Sequence, residues 1–202
     1  MKKWAYPLAV LTLIVFIVLR VTYQSEFLKT FDAKMAELLF GNRFIEIFHY
    51  IGEPKFVVAV AVVLMAYLAW KVKNYRGMLF VVLTFAVGNV LNQLLKKWVQ
   101  RPRPEIEEQL TSFSFPSGHS MTGILYLFTL AYILAENSSK GRKILLWLGA
   151  TILMVLIGLS RIAGARHFAT DVLAGWSIGY TWFIICVIWY ERRKRLFQSN
   201  HK

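Results

Sequence analysis

The chain has 202 residues, of which 57% are hydrophobic, 15% aromatic and only 17% charged, and its mean hydropathy is +0.49. Soluble domains carry about a quarter charged residues, and disordered chains are poor in aromatic and aliphatic residues, so both classes are excluded. The single cysteine, Cys186, excludes an intramolecular disulfide and a thiol cluster for zinc or iron–sulfur ligation. The composition predicts an integral membrane protein that forms one domain over residues 1–202.

The net charge of +13 comes from 24 Lys and Arg against 11 Asp and Glu. In a soluble protein this charge would suggest nucleic-acid binding, but here the basic residues bracket apolar segments. Such a distribution is typical of anchoring to an anionic cytoplasmic leaflet. We therefore predict the lipid bilayer as a partner, with no nucleic acid and no protein partner. The bracketing residues are Lys2, Lys3, Lys71, Lys73, Arg76, Lys140, Arg142, Lys143 and the run from Arg192 to Arg195.

Six apolar stretches are long enough, or nearly so, to cross about 30 Å of hydrocarbon as helices. They lie at residues 4–20, 56–70, 77–95, 118–135, 144–163 and 172–190. The first has the basic flank of a secretory signal, but no small-residue cleavage pattern follows it, so we interpret it as a retained anchor. The predicted fold class is an all-α membrane protein with six transmembrane helices.

Residues 24–55, between the first two spans, combine mixed charge with apolar residues at helical spacing. The apolar positions are Phe27, Leu28, Phe31, Met35, Leu38, Leu39, Phe44, Ile45, Phe48 and Ile51. Charged residues such as Lys29 and Asp32 fall between them, so we predict one or two amphipathic helices in the membrane interface. A small cap packed on the helix bundle explains the same pattern equally well.

Small and amide side chains within the spans are expected to join helices to one another. Three amides of the third span are expected to make interhelical hydrogen bonds rather than to contact substrate: Asn89, Asn92 and Gln93. Four glycines are expected at close helix contacts: Gly149, Gly158, Gly175 and Gly179. The last two fit a small-xxx-small pair, either within one chain or at a dimer interface.

The connecting segments fall into two sets, because six spans place both termini on one side of the membrane. The side with the termini holds 13 Lys and Arg, and the other side holds 10. Four of those ten lie among five acidic residues in residues 24–55. The positive-inside rule therefore predicts cytoplasmic termini, which makes residues 96–117 and 164–171 face outward together.

Three short motifs in and beside these outward segments hold most of the polar residues that could carry chemistry. They read Lys-x6-Arg-Pro, Pro-Ser-Gly-His and Ser-Arg-x5-His-x3-Asp, at Lys96, Arg103, Pro104, Pro116, Ser117, Gly118, His119, Ser160, Arg161, His167 and Asp171. Lys96, Arg103 and Arg161 supply three cations, and the two guanidinium forks suit phosphate oxygens. Ser117 and Gly118 begin a helix, where N–H groups lack intrahelical acceptors and favour an anion. Together these residues predict a cradle for a tetrahedral dianion.

Two histidines supply the reactive chemistry of this hypothesis. His167 and Asp171 are four residues apart, so on a helical turn the carboxylate would keep one ring nitrogen protonated and leave the other free to attack. His119 is the natural general acid for a leaving alkoxide. The implied reaction is in-line phosphoryl transfer through a phosphohistidine, followed by hydrolysis, with the cations stabilising charge on phosphate oxygens.

The motifs match the signature of the type-2 phosphatidic acid phosphatase superfamily, which this chain resembles over residues 96–171. The six spans, with motifs after the third and fifth, resemble its integral-membrane bacterial branch, to which phosphatidylglycerophosphatase B belongs. The resemblance implies that His167 is the nucleophile, that Asp171 orients it and that His119 is the general acid, without metal or other cofactor. It also implies a phosphate-binding shell, formed by Lys96, Arg103, Ser117, Gly118, Ser160 and Arg161.

Neighbouring basic residues are less directly implicated in this chemistry. Lys97, Arg101 and Arg166 are interpreted as solvated charges at the interface. Contact with substrate or with lipid head groups is the alternative for all three.

These residues predict removal of the terminal phosphate from lipids of the outer leaflet, with phosphatidylglycerophosphate as the first substrate and phosphatidic acid second. The alternative is undecaprenyl diphosphate, for lipid-carrier recycling, because all three lipids present the same terminal phosphate. A silent membrane scaffold or transporter would not need two histidines and an aspartate in register. A vanadate-dependent haloperoxidase would share the anion-binding residues, but six spans argue against it.

Overall fold

The computed structural model describes residues 4–105 and 111–199, with side chains as far as Arg193. Lys2 and Lys3 lie outside the described residues, as do the side chains of Lys194 and Arg195. The described helices are α1 (Ala5–Thr22), α2 (Glu26–Leu39), α3 (Arg43–Glu46), α4 (Pro54–Ala66), α5 (Tyr75–Val82), α6 (Gly88–Val99), α7 (Gly118–Ala135), α8 (Lys140–Ala163) and α9 (Ala169–Ser199). A 3-10 helix, Ile47–Gly52, continues α3, while π-helical segments follow α4 at Tyr67–Val72 and join α5 to α6 at Leu83–Val87.

Six helical segments are long and apolar enough to cross a membrane, which confirms the predicted spans. They are Ala5–Thr22, Pro54–Val72, Tyr75–Val99, Gly118–Ala135, Lys140–Ala163 and Ala169–Arg193. Most extend beyond the apolar stretches of the sequence, because charged residues such as Lys96 occupy their terminal turns. The chain is therefore a multi-pass membrane protein.

The core of the bundle lies between α7 and α9. In their apolar windows, 67% of α7 and 56% of α9 is buried, against 17–28% in the other four spans. The outer spans expose large apolar side chains, among them Leu11, Val62 and Leu145, as a surface in contact with lipid requires. On the other side of the core, α1 packs along α9, where the hydroxyl oxygens of Thr12 and Thr181 lie 2.9 Å apart.

Gly175 and Gly179 lie where α9 crosses α7. A methyl group on Gly175 would stand 2.7 Å from the carbonyl oxygen of Ser117, and one on Gly179 would stand 2.4 Å from Cγ2 of Ile124. A larger residue at either position would force the two helices apart. The small-xxx-small pair therefore joins helices within one chain, which resolves the alternative left open by the sequence.

Two glycines of α8 have opposite surroundings. A Cβ on Gly158 would lie 2.1 Å from the Trp176 ring, so this glycine brings α8 against α9 as predicted. Around Gly149, no described atom outside its own helix lies within 4 Å of the corresponding position. The prediction of a close helix contact at Gly149 is wrong, because this part of α8 faces away from the other described helices.

The three amides of the third span also differ from one another. Asn92 is buried, and its Nδ2 donates to the carbonyl of Pro116 (3.4 Å) and to Sδ of Met121 (3.5 Å). This confirms the predicted interhelical role of Asn92. Asn89 and Gln93 lie on the exposed face of α6, where they make no such bond among the described residues, so the prediction is wrong for both.

Helix α2 folds over the end of the bundle at which α8 ends and α9 begins. Leu39 packs against Ile162 and Ala163, and the N–H group of Gly41 donates to the carbonyl of Ala163 (3.1 Å). The segment therefore packs on the bundle as a cap, one of the two predicted alternatives. Its location in the membrane interface stays a prediction. Asp32, expected between the apolar positions, is in fact only 4% exposed.

Candidate active site

Hydrogen bonds draw the two predicted loops together at one end of the bundle. The Ser117 N–H group donates to the carbonyl of Asp171 (2.9 Å). The Arg103 guanidinium donates to the carbonyl of Arg166 (2.7 Å), across 63 residues of sequence. Segments that are distant in the chain thereby form one site, as the motifs predict.

His167 lies at the centre of this site and is almost fully buried. Its Nε2 is 3.1 Å from Nη1 of Arg103, and its Nδ1 is 3.5 Å from Oδ2 of Asp171. Because a guanidinium only donates, Nε2 carries the lone pair and Nδ1 carries the proton. At 3.5 Å the Asp171 carboxylate is the charge nearest this proton, although Nδ1 makes no hydrogen bond among the described residues. Burial, together with the charges of Lys96, Arg103 and Arg161, holds the pKa of His167 well below its usual range. The ring is therefore neutral, with its lone pair on Nε2.

The charges of three cations, Lys96, Arg103 and Arg161, act on His167 and contribute to its low pKa. Lys96, in the last turn of α6, is 5% exposed and donates to the carbonyls of Phe113 and Ser114. Arg161, in the last turn of α8, is also buried, and its Nε finds no hydrogen-bond partner among the described residues. Burial lowers the pKa of the Arg103 guanidinium. Cations removed from water in this way favour a bound anion.

His119 faces the same site from the first turn of α7. Its Nε2 is buried and has no hydrogen-bond partner in the described part of the chain. His119 lies two residues after Ser117, whose N–H group donates to the carbonyl of Asp171, so the two histidines share one end of the bundle. A Cβ on Gly52 would lie 3.0 Å from Cδ2 of His119, so this glycine leaves room for the ring.

Ser117 is the N-cap of α7. Its Oγ accepts from the N–H group of Ser120 (3.4 Å), and its own N–H group is used by Asp171. The prediction that the Ser117 N–H group is open to an anion is wrong, because this bond ties the start of α7 to the first turn of α9. A contact of Ser117 with phosphate in another arrangement stays a prediction.

Gly118 and Ser160 sit at the edge of the site. A Cβ on Gly118 would lie 3.2 Å from Oδ1 of Asn92 and 3.9 Å from Cε of Lys96, so glycine lets the start of α7 approach the lysine. The Ser160 hydroxyl donates to the carbonyl of Ile157 (2.6 Å) within its own helix. The predicted phosphate contacts of both residues stay predictions.

Arg101 is a member of the site that the sequence analysis missed. It is 6% exposed, so its interpretation as a solvated charge is wrong. Its guanidinium donates to Oδ1 of Asp171 (2.8 Å), to Oγ1 of Thr170 (2.7 Å) and to Oδ2 of Asp32 (2.9 Å). Lys97, by contrast, is exposed, as expected of a solvated charge.

Asp32 is the second missed residue, and the sequence contains a signal for it. Leu28, Asp32, Met35 and Leu39 fall on one face of a helix, at intervals of four, three and four residues. A carboxylate within an apolar stripe is buried when the stripe packs, and a buried carboxylate needs partners. The stripe therefore indicates a paired Asp32, although nothing in it identifies Arg101 as the partner.

Two grooves lie beside these residues. One, of about 480 Å³, is lined by α2 on one side and by site residues such as Arg101 on the other, and it extends to His167. The other, of about 520 Å³, runs between Ile47–Gly52, α4, α7 and α8. Its lining is apolar and comprises Ile47, Phe48, Ile51, Phe56, Val60, Tyr126, Leu127, Leu130 and Leu153. It adjoins Gly52 and therefore lies on the side of the site that holds His119.

Six spanning helices with two imidazoles, the buried cations Lys96 and Arg161 and the half-buried Arg103 at one end define the class of multi-pass membrane phosphatases. Within residues 4–105 and 111–199, no group of three or more His, Cys, Asp and Glu is arranged to hold a metal ion. The chain belongs to the PAP2 superfamily, the type-2 phosphatidic acid phosphatases, whose family model matches residues 77–195.

Individual relatives agree with this membership. The chain is 34% identical to phosphatidylglycerophosphatase B of Bacillus subtilis over 155 residues, which cover 74% of this chain and 75% of the relative. It is 31% identical to an undecaprenyl-diphosphatase of Sulfolobus acidocaldarius over 106 residues, or 48% of each chain. The crystal structure of a transmembrane PAP2-type phosphatidylglycerolphosphate phosphatase from Bacillus subtilis superposes with a TM-score of 0.82 at 28% identity, covering 91% of this chain and 96% of that one. The protein is therefore a homologue of lipid phosphatases with their fold.

Proposed function

We propose that this protein hydrolyses the terminal phosphate of phosphatidylglycerophosphate, and of phosphatidic acid, on the outer face of the membrane. The observation that carries the proposal is that His119 and His167 share one end of a six-span bundle with the buried cations Lys96 and Arg161 and the half-buried Arg103. Similarity to phosphatidylglycerophosphatase B supports the choice of first substrate. A lipid phosphate stays at the membrane surface, so a site at helix ends meets it without extracting the lipid.

In the first step, Nε2 of His167 attacks phosphorus while Arg103 shifts from that nitrogen to the phosphate oxygens. The bond between phosphorus and the lipid oxygen breaks, and His119 donates a proton to the departing oxygen. The product is a phosphohistidine and a free lipid alcohol. Asp171 faces Nδ1 and stabilises the positive charge that develops on the ring.

In the second step, water attacks the phosphohistidine from the side that the lipid has left. His119 accepts the proton of this water, the bond between phosphorus and Nε2 breaks, and His167 returns to its neutral form. Lys96, Arg103 and Arg161 stabilise the charge on the three equatorial oxygens in both steps. Because these side chains supply the positive charge, we expect full activity in the presence of EDTA.

The apolar groove of about 520 Å³ supports a lipid rather than a soluble ester as substrate. In-line transfer places the leaving oxygen opposite Nε2 of His167, where His119 donates its proton. The groove adjoins that side, so the hydrocarbon part of the leaving group has an apolar surface to lie against.

Undecaprenyl diphosphate is the second candidate substrate. The relative from Sulfolobus acidocaldarius supports it, since that protein is named an undecaprenyl-diphosphatase. The cations around His167 recognise a terminal phosphate, which all of these lipids share. The discrimination between a glycerol lipid and a prenyl lipid must therefore come from the grooves.

A substrate panel tests the proposal. Purified protein is assayed for phosphate release, with EDTA present, from phosphatidylglycerophosphate, phosphatidic acid, undecaprenyl diphosphate and a soluble phosphate ester in one detergent. We expect the largest kcat/KM for phosphatidylglycerophosphate and the smallest for the soluble ester. A dominant preference for the diphosphate selects the second candidate, and release that requires added metal contradicts the metal-free mechanism.

Three variants connect the activity to the site. We expect His167→Ala to lose about 10³-fold or more of kcat/KM, because the nucleophile is absent. Lys96→Ala removes a buried cation beside His167, whereas Lys97→Ala removes its exposed neighbour and serves as the matched control. Equal low release from wild type and His167→Ala would show that the protein is not this enzyme.

A further inference from the structure

A buried ionic network joins α2 to the residues behind His167. Oδ2 of Asp32 accepts from Nη2 of Arg101 (2.9 Å), and Oδ1 of Asp171 accepts from Nη1 of the same arginine (2.8 Å). The two carboxylates are 4% and 0% exposed. Asp32 lies outside the three superfamily motifs, and Arg101 lies within the first at a position that the motif leaves unspecified.

The network holds Arg101 in a single orientation. Its guanidinium carbon lies 4.1 Å from the centre of the Phe168 ring and 4.7 Å from that of Tyr23. Its two terminal nitrogens point to different carboxylates, an arrangement that needs a planar fork and that an ammonium group cannot reproduce. The geometry therefore requires arginine at this position.

Asp32 also fixes the start of α9. Its Oδ1 accepts the N–H group of Thr170 (2.8 Å), and its Oδ2 accepts the Thr170 hydroxyl (2.8 Å). Thr170 is the second residue of α9, so Asp32 satisfies an N–H group that has no acceptor within that helix. A carboxylate at this end of a helix is also stabilised by the helix dipole. Asp171 follows directly in the same turn.

These contacts determine which oxygen of Asp171 faces His167. Arg101 binds Oδ1, while Oδ2 accepts from the N–H group of Phe168 (3.0 Å) and lies 3.5 Å from Nδ1 of His167. With Oδ1 bound, the carboxylate cannot rotate away from the imidazole. The tautomer of His167 that has its lone pair on Nε2 is thereby maintained.

We propose that Asp32 and Arg101 are positioning residues for the reaction, which act through Asp171 on His167 and make α2 part of the active site. Neither residue needs to touch the substrate phosphate, because the charge of Arg101 is already matched by two carboxylates. This inference rests on the proposed function. It adds a dependence of catalysis on a helix that lies outside the motif-bearing part of the chain, residues 96–171.

The test compares Asp32→Asn and Arg101→Lys with wild type, using phosphatidic acid in detergent. We expect kcat to fall about 10- to 100-fold, as for other residues that orient a reactive group, and KM to change less than about twofold. The kcat of Arg101→Ala should be lower than that of Arg101→Lys, because lysine retains one of the two ion pairs. Glu37→Gln, on the exposed surface of α2, is the matched control and should keep wild-type kcat.

The double variant Asp32→Asn/Arg101→Lys gives an independent measurement. When two residues act through one network, the loss of kcat in the double variant is smaller than the sum of the two single losses, in free-energy terms. The kcat of the double variant should therefore lie near that of the less active single variant. Thermal unfolding of each variant identifies those that fold. If the arginine variants do not fold, the kcat of Asp32→Asn alone decides the test, because asparagine has nearly the same shape as aspartate.

Three outcomes would overturn the assignment. The first is a folded Asp32→Asn with kcat within about twofold of wild type, and the second is a raised KM at unchanged kcat, which indicates substrate binding instead. Full additivity in the double variant is the third. If wild type itself releases no phosphate from any lipid, the proposed function is wrong. If wild type is active and the kcat of the variants is unchanged, the function stands and only the positioning roles of Asp32 and Arg101 are wrong.

Discussion

At the scale of single residues, Arg101 and Arg103 show how position decides what a cation does. The two are separated by one proline, yet Arg101 is bound by the carboxylates of Asp32 and Asp171. Arg103 instead contacts neutral acceptors, among them Nε2 of His167. A guanidinium matched by two carboxylates has little attraction left for a phosphate, whereas one bound to neutral groups keeps its charge for an anion.

The pH dependence of catalysis should depend on Lys96. Burial and nearby cations lower the pKa of His167, so its neutral form persists at pH values below the ordinary value for histidine. Replacing Lys96 by Gln removes one of these cations, raises the pKa of His167 and protonates the nucleophile at higher pH. The acid limb of the kcat/KM profile should therefore move to higher pH, measured from about pH 4.5 to 8 with one substrate for both proteins.

Ionisation of the substrate is identical in the two pH series and cancels from the comparison. Coincident acid limbs would mean that the Lys96 charge does not reach His167. A shift in the opposite direction would contradict the assignment of His167 as the group that must be neutral.

Sequence reasoning identified the residues that share a motif and missed those that share only a contact. His119, His167 and the three cations follow from spacing and residue type, and hydrogen bonds between the two loops bring their segments to one end of the bundle. Arg101 binds Asp32, which lies 69 residues earlier in the chain, and no local sequence pattern predicts that pairing. The N–H group of Ser117 was assigned to an anion because the sequence does not reveal that α9 supplies a competing carbonyl.

At the scale of elements, helix packing in this bundle is set by a few glycines. Gly175 and Gly179 let α9 cross α7, and Gly158 lets α8 approach Trp176. Hydropathy predicted the spans because a lipid-facing helix must be apolar over its length. It did not distinguish the glycines that pack from Gly149, because the side of α8 that faces its neighbours depends on the tertiary arrangement.

The two glycines of α8 provide a matched pair of substitutions. In Gly158→Ala the new methyl group overlaps the Trp176 ring, 2.1 Å away, and should destabilise the fold by about 1–3 kcal/mol. In Gly149→Ala the methyl group meets no described atom outside its own helix, and alanine favours the helix by roughly 0.5–1 kcal/mol. Thermal unfolding in detergent should give a lower midpoint for the first variant and an unchanged or higher one for the second.

Equal losses in both variants would indicate that any added methyl group disturbs α8. A stable Gly158→Ala would mean that Trp176 moves aside at little cost. Phosphate release by that variant would then show whether the ring position matters to the adjoining site.

At the scale of the whole molecule, the two ends of the bundle have different characters. One end holds His119, His167 and the cations near them, and α2 covers it. At the opposite end, the first turn of α8 carries three basic residues: Lys140, Arg142 and Lys143. The described structure thus has one polar end suited to chemistry and one basic end suited to an anionic leaflet.

The predicted orientation can be measured by cysteine labelling, since Cys186 is buried and is the single cysteine of the chain. We expect Lys97→Cys, at the end of the bundle with the site, to react with a membrane-impermeant maleimide in intact cells. Lys140→Cys, at the opposite end, should react only after permeabilisation. Wild type is the control for Cys186, and the reverse labelling pattern would place the site on the cytoplasmic side.

The buried Asp32 lies outside the stretch that matches the family model, residues 77–195. Consequently, the stretch that matches the family model lacks one of the two carboxylates that bind its own Arg101. Consider a chimaera in which the segment before α4 comes from another protein and has no carboxylate at the position of Asp32. It keeps all three motifs, but its buried Arg101 has lost one of its two carboxylate partners. Chimaeras of this protein should therefore take Asp32 and Arg101 from the same parent.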